Sequence, residues 1–462
     1  MMELCILGAG PGGYVAAIKA AQLGANVTVI EADEVGGTCL NYGCIPTKTL
    51  LASSEALSLA RNIASFGIDI NGEITANMQK IIDRKNSVVS TQVKGIRGLF
   101  KSWGITLKEG RGTFISENQI KITTKAGTEE TITADKFIIA TGSRPANIPI
   151  FPFDGKRIIS STDALNLIVI PKSLLIVGAG VIGCEFACIY RELGSEVNMV
   201  EMMPRAIVTE DPEVSALLEK ELKKKKIKLH TDVKVEKVEV DANGVHASLS
   251  NGKTLSAEIA LVSIGRAFNT DNIGLDKAGV NLAQRGNIIV DKFLKTSNPN
   301  IYAIGDVSGG MLLAHVASKE GLVAAKNIMG QSIEMDHSVV PAAIFTSPEI
   351  ASVGLRQHQA EEKGIKFNVG HFQYRGLGKA HAMGEIAGFF KVISDANTDK
   401  ILGVHIVGAH AADIIHEAAV AMKNGITVKE LADTIHAHPT LAEGLMEAAE
   451  DVHGEAVHVP KK

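Results

Sequence analysis

Apolar and polar positions follow two periods along the chain, and their order lays out an α/β protein. A strand-length apolar run over 4–7 gives way to Gly8-Ala9-Gly10-Pro11-Gly12-Gly13, and an alanine-rich helical pattern then continues through Leu23. A second strand is predicted over 27–30, closed by Glu31. The same order returns later: a strand over 174–177, Gly178-Ala179-Gly180-Val181-Ile182-Gly183, a helix to about Leu193, a strand over 197–200, and Glu201. In each copy the acid stands 23 positions after the first glycine, from 8 to 31 and from 178 to 201. A lone glycine-rich turn is weak evidence, but two copies in the same context, each with its acid in register, predict two Rossmann-like dinucleotide-binding domains.

The pattern between and beyond the copies divides the rest. A strand over 137–140 runs into Thr141-Gly142-Ser143, and Pro145, Pro149 and Pro152 mark a connection over 144–155. A second boundary falls near Gly265-Arg266, beyond which a β-rich pattern resumes, reaches Ile301-Tyr302-Ala303-Ile304-Gly305-Asp306 and becomes helical after Leu312. From about Val339, strands over 388–392 and 401–407 alternate with helices, which predicts a C-terminal α+β domain. The expected segments are 1–145, 146–266, 267–335 and 336–462.

Each residue type in the glycine loops has a physical reason. The first glycine allows the tight turn, the second lets backbone approach a pyrophosphate, and the third lets the helix pack on its strand. The helix N-terminus then offers free N–H groups to the anion. A carboxylate at the end of the second strand accepts from ribose hydroxyls and repels a 2′-phosphate, so Glu201 favours NAD over NADP. The alternative is that Glu31 and Glu201 are solvated strand-end acids.

Composition narrows the class. The chain has 462 residues, 45% hydrophobic and 21% charged, which suits a soluble protein of several domains. A net charge of −4 argues against a nucleic-acid partner, and no apolar run reaches spanning length, so no membrane association is expected. The start shows no basic or cleavable leader, which makes the cytoplasm the expected compartment. Five cysteines are too few for a disulfide scaffold, so a close pair reads as catalytic or metal-binding. Cys39 and Cys44 are that pair, at the start of a predicted helix containing Pro46, Lys48 and Leu50. A helix N-terminus favours thiolate. The plainer readings are a buried free pair or half of a metal site, but no second pair or histidine spacing completes a zinc tetrahedron, and no metal is expected. Cys5, Cys184 and Cys188 read as core.

Gly36-Gly37-Thr38-Cys39-Leu40-Asn41-Tyr42-Gly43-Cys44-Ile45-Pro46-Thr47-Lys48 resembles the redox segment of the pyridine nucleotide–disulfide oxidoreductases, and the resemblance extends over essentially the whole chain. It implies FAD in the first unit, NAD⁺/NADH in the second, and a C-terminal domain that forms a homodimer. Cys39 would meet the substrate and Cys44 would face the flavin, with Lys48 near the flavin and paired with Glu185. By the same resemblance the FAD contacts are Gly8, Gly10, Gly13, Glu31, Thr38, Lys48, Gly112 and Thr141-Gly142-Ser143, with Asp306 at the ribityl–phosphate region and Leu312-Leu313-Ala314-His315 along the flavin. The NAD contacts are Gly178, Gly180, Val181, Ile182, Gly183, Glu185, Glu201, Val233, Gly265 and Arg266. One departure stands at Arg266-Ala267-Phe268-Asn269-Thr270, where the family commonly has proline two residues after the arginine.

His436-Ala437-His438-Pro439-Thr440-Leu441-Ala442-Glu443 is similar to the family's acid–base segment. A dithiol must lose a proton before it attacks a disulfide, which His438 oriented by Glu443 would arrange near neutral pH. His436 and His416 read as helix-surface or core residues. Glu201, the wording of the redox segment and a C-terminus without cysteines place the chain nearest the branch that oxidises dihydrolipoyl dithiols with NAD⁺. Its partners would be lipoyl domains of a 2-oxo acid dehydrogenase or glycine cleavage complex. The rivals are an NAD(P)H-dependent disulfide or small-thiol reductase and a non-catalytic flavin-binding subunit.

Overall fold

A computed structural model describes residues 1–460. Its first sheet is five parallel strands in the order Ile301–Ala303, Lys136–Ile139, Glu3–Leu7, Asn26–Glu31, Thr106–Glu109. A central strand covered on both faces reads as a continuous apolar run, as residues 4–7 do. Leu4 and Ile6 face the helices Pro11–Gln22 and Ala314–Ile328, while Cys5 and Leu7 face a three-stranded antiparallel meander through Phe114, Ile120 and Ile122.

The second unit repeats this plan. Its parallel sheet runs Lys228–His230, Glu196–Val200, Ser173–Val177, Ile259–Val262, Ile158–Ile159. Leu174 and Ile176 face the helices Val181–Leu193 and Pro212–Lys224, whereas Leu175 and Val177 face a second antiparallel meander through Val245, Ala247 and Leu249. The duplication therefore reaches beyond the glycine loops to the layering around them.

The chain leaves the first unit along Ser143–Pro145 and returns along Arg266–Phe268, and these two short strands pair antiparallel. The returning segment completes the first unit by adding Ile301–Ala303 to its sheet edge. Residues 269–300, for which a β-rich pattern was expected, carry only isolated bridges such as Leu282 to Ile288. Side chains replace ladders there: Thr296, Ser297 and Asn298 bond backbone carbonyls, and Asp291 accepts from the N–H groups of Phe293 and Lys295. The C-terminal lobe is a five-stranded antiparallel sheet packed by the helices Ala411–Asn424 and Glu443–Val452. Cys5, Cys184 and Cys188 are buried. Among the described residues no helix is long and apolar enough to cross a membrane, and no group of metal-ligating side chains is assembled.

Helix Ala314–Ile328 lies close on Pro11–Gln22 because both carry glycine at the crossing: a Cβ on Gly321 would stand 2.5 Å from the Gly12 carbonyl oxygen. Gly321→Ala should therefore cost about 1–3 kcal/mol by forcing the first glycine-loop helix off its partner. An unchanged denaturation midpoint in the FAD-loaded protein would contradict this packing.

Candidate active site

The two glycine loops are closed by the same hydrogen bonds. In the first, Gly8 N–H donates to Ile30 O at 2.8 Å, and Glu31 accepts from Ala9 N–H at 2.7 Å and Asp33 N–H at 2.9 Å. In the second, Gly178 N–H donates to Val200 O at 2.8 Å, and Glu201 accepts from Ala179 N–H at 2.7 Å and Met203 N–H at 2.8 Å. Burial raises the Glu31 carboxyl above its ordinary range, with the N–H groups opposing it. Gly8 and Gly178 sit at φ +103° and +100°, where L side chains are strained. A Cβ on Gly13 or Gly183 would stand 1.9 or 2.0 Å from the carbonyl oxygen of Gly8 or Gly178.

The middle glycines differ in kind. A Cβ on Gly180 meets nothing within 4 Å, and one on Gly10 meets only Gly37 Cα at 3.9 Å. Both following helices start without a capping side chain or an acid in the first turn. Open backbone with free N–H groups at a helix start suits a pyrophosphate, so both cradles fit a dinucleotide.

The cysteines stand on two helices, not one. Gly37–Tyr42 carries Cys39, Cys44–Arg61 begins at Cys44, and Gly43 breaks the path with φ −142° and ψ −114°. A Cβ at Gly43 would lie 3.0 Å from Thr38 O, so glycine lets the second helix start against the first. The two sulfurs are unlinked, and the Cys39 thiol donates to Cys44. That hydrogen bond, helped by Lys48 and opposed by burial, lowers Cys44 to about 7. The same bond, with burial, raises Cys39. Cys44 also heads an 18-residue helix, whose N-terminus favours the thiolate.

Lys48 donates to both carboxylate oxygens of Glu185, at 2.8 Å each. Glu185, whose side chain is 5% exposed, also accepts from Phe345 N–H at 3.0 Å, and the Lys48 ammonium lies 4.4 Å from the Phe345 ring centre. Redox helix, second unit and C-terminal lobe thus meet at one ion pair. Around Asp306, Ser143 Oγ donates to the carboxylate, while Arg266 donates to Ser143 Oγ at 2.6 Å and Ser143 O at 2.7 Å. The Arg266 guanidinium lies against Ser143 and 3.7 Å from Asp306. Where the family's proline is missing, Asn269 pins the crossing: its side chain donates to Thr141 O at 2.8 Å, and its carbonyl accepts from Thr141 Oγ1 at 2.8 Å. Gly142 accepts from Asn269 N–H at 3.0 Å.

Other expected residues occupy varied surroundings. Thr38 Oγ1 reaches Ser143 O at 3.5 Å, and Val233 N–H donates to Glu201 O at 3.1 Å. Gly112 packs beneath Leu7 and Ile30. Leu312 and Leu313 precede the helix that Ala314 begins, and His315 Nε2 contacts Pro341 O at 2.9 Å. Val181 and Ile182 form the first turn after Gly180, and Gly265 takes φ +134°. Sequence reasoning missed two residues. Glu320 accepts from Gly305 N–H at 2.6 Å and fixes the Asp306 turn; the detectable sign was an acid on an otherwise apolar helix face. Phe345 acts through its ring and backbone and left no sign.

His438 is apart from the cysteines. Its side chain is 77% exposed, and Nδ1 bonds Glu443 at 2.8 Å, whose other oxygen accepts from Thr440 N–H at 2.8 Å. Burial would raise Glu443, but those two hydrogen bonds outweigh it and hold the carboxylate below its ordinary range. The His436 ring is covered and bonds the partly exposed Glu417 at 2.7 Å.

The reduced protein should gain thiolate ultraviolet absorbance as Cys44 ionises, with a midpoint near pH 7. The thiolate is present above that midpoint and lost below it. Because Lys48 lowers this value, Lys48→Met should move the midpoint upward. A midpoint that does not move would remove Lys48 from the thiolate's support.

The pyridine nucleotide-disulphide oxidoreductase family description matches residues 2–321, and its dimerisation domain matches residues 340–449. A dihydrolipoyl dehydrogenase of Chlamydia muridarum is 45% identical over 460 residues, covering 99% of this chain and 98% of its own length. That of Thermus scotoductus is 42% identical, covering 99% and 98%. Among solved structures, LpdA from Mycobacterium tuberculosis superposes with TM-score 0.92 at 30% identity, covering 97% of this chain and 99% of its own. The HOCl-induced flavoprotein disulfide reductase RclA from Escherichia coli gives 0.86 at 26% identity, covering 97% and 99%. With both dinucleotide cradles, the cysteine pair and the C-terminal lobe all matched, the chain belongs to the pyridine nucleotide-disulphide oxidoreductase family.

Proposed function

We propose that the chain oxidises dihydrolipoyl groups borne by a partner protein and reduces NAD⁺ to NADH, acting through Cys39, Cys44 and bound FAD. The observation that carries this reading is Cys44 at a helix N-terminus, one turn before Lys48, whose ion pair with Glu185 ties the redox helix to the helix that follows the second open cradle. The 41–45% identical relatives named dihydrolipoyl dehydrogenase support the substrate. The lipoyl domains of a 2-oxo acid dehydrogenase or glycine cleavage complex are the proposed partners, and the cytoplasm is the proposed compartment.

The residues divide the work as follows. His438, held by Glu443, takes the proton of the first substrate thiol. The resulting thiolate attacks the Cys39 sulfur of the oxidised pair; the Cys39–Cys44 bond breaks, and Cys44 leaves as the thiolate that Lys48 and its helix stabilise. The second substrate thiol releases its proton to solvent and closes the lipoyl disulfide. That expels Cys39, which takes the proton back from His438. The pair is left as thiol and thiolate, the distribution that the Cys39–Cys44 hydrogen bond favours. The first cradle, Ser143 and Asp306 would hold FAD, which when bound would supply the two-electron relay between the cysteine pair and NAD⁺. Glu201 selects NAD⁺ by accepting from free ribose hydroxyls.

The dimerisation domain supports a homodimer. Since His438 is exposed and, among the described residues, bonds within its own segment, we propose that it serves the cysteine pair of the other chain across a two-fold axis.

Turnover with dihydrolipoamide and NAD⁺ should far exceed turnover with glutathione disulfide and NADPH, and Glu201→Ala should erode the nucleotide preference by weakening NAD⁺. Preference for glutathione disulfide would overturn the substrate assignment. His438→Ala should slow the dithiol half-reaction by about 10²–10⁴. Reassembling His438→Ala chains with Cys44→Ser chains should restore about a quarter of wild-type activity, since half the dimers are mixed and each holds one intact site. Exchange of chains without recovery would place the whole site within one subunit.

A further inference from the structure

The C-terminal lobe meets the second dinucleotide unit through a polar seam that the dithiol chemistry does not use. His371, Lys391, His405 and Ser352 stand opposite one another on four neighbouring strands and so share one sheet face. Lys391, 1% exposed, bonds Asp211 at 3.1 and 3.2 Å and Glu213 at 2.5 Å. Asp211, equally buried, also accepts from Gln357 N–H at 3.2 Å and, as the helix cap, from Glu213 N–H at 3.1 Å. Arg356 donates to Glu210 at 2.9 Å, Thr209 O at 3.0 Å and Ser352 Oγ at 3.3 Å. His371 reaches Glu213 at 3.1 Å, and His405, buried and lowered to about 4, bonds Leu355 O at 3.0 Å.

A buried ion pair is poor evidence of stability, because packed apolar residues of similar volume often do as well. The position of the seam in the chain is more informative. The loop that ends at Asp211 begins at Glu201, whose carboxylate holds Ala179, and midway Ile207 N–H donates to Ala179 O at 2.8 Å. Ile207 does so at φ +42°, a strained conformation for a β-branched residue. The first unit makes the equivalent bond from Gly36 N–H to Ala9 O at 2.8 Å, and its chain then enters the helix bearing Cys39. One backbone exit thus serves two ends: in the first copy it delivers the redox cysteine, and in the second it delivers a clamp onto the C-terminal lobe.

We propose that Lys391, assisted by Arg356, is a positioning residue for the NAD half-reaction: from the dimerisation lobe it fixes the Asp211 end of the Glu201 loop and thereby sets the second glycine loop. This rests on the NAD⁺ reading above. The experiment uses FAD-loaded full-length protein carrying Lys391→Met, which keeps length and removes charge, or Lys391→Arg, which keeps charge. Lys391→Met should weaken NADH binding in a fluorescence titration, and raise KM for NAD⁺, on the order of tenfold or more. The dithiol half-reaction and kcat at saturating NAD⁺ should stay within about twofold of wild type, the signature of lost uniform binding. Lys391→Arg should restore most of the NADH affinity. NADH affinity within about twofold of wild type, or loss of nucleotide binding and dithiol reactivity together, would overturn the proposal. If Lys391→Met does not fold, the Lys391→Met/Asp211→Asn double variant, which leaves no lone buried charge on Asp211, is read by the same criteria. Wild-type protein that binds NADPH better than NADH would defeat the NAD⁺ reading alone; the seam is then judged by whether Lys391→Met weakens NADPH.

Discussion

Lys48 reaches across a lobe boundary to place its ammonium on both oxygens of Glu185, and the site is organised about that bond. Glu185 is nearly buried, and its carboxylate is paired by the lysine and by the Phe345 N–H. The lysine in turn keeps enough positive charge near Cys44 to favour a thiolate. Because Glu185 sits in the first turns after the second glycine loop, the same pair fixes how far the redox helix stands from the second cradle. A neutral substitute for Lys48 would loosen this distance and strand the buried Glu185 carboxylate.

Around this pair the architecture follows from one duplicated unit used twice. Each copy needs a strand buried on both faces, a glycine loop with a positive φ at its start, and an acid that accepts two N–H groups. What differs is where the chain goes next. The first copy turns into the cysteine helix and the second turns onto the C-terminal lobe, so that chemistry and assembly share a backbone design.

Much of this was legible in the sequence because it is local and periodic. Residues 4–7 and 174–177 declare buried parallel strands, and the glycines and acids at fixed offsets declare the cradles. The Lys48–Glu185 pair was reached by resemblance alone, since the two residues are 137 positions apart. Spacing could not reveal the break at Gly43, because the four residues between Cys39 and Cys44 fit one continuous helix as well as two; only the close approach of Gly43 to Thr38 O decides it. Residues 269–300 misled because β-rich composition there serves side-chain-braced turns. Lys391 sits in an apolar strand over 389–393, where the sequence gives no hint of its acids near 211.

The proposed reaction takes electrons in through the cysteine pair, with Cys44 as the thiolate, and releases them as NADH. Stepwise anaerobic titration of the FAD-loaded protein tests it directly. Dihydrolipoamide should first raise a long-wavelength absorption band from the Cys44 thiolate, and NAD⁺ should then remove the band and yield stoichiometric NADH; Cys44→Ser should abolish the band while retaining FAD. Direct bleaching of the flavin with no such band, unchanged by Cys44→Ser, would contradict the account.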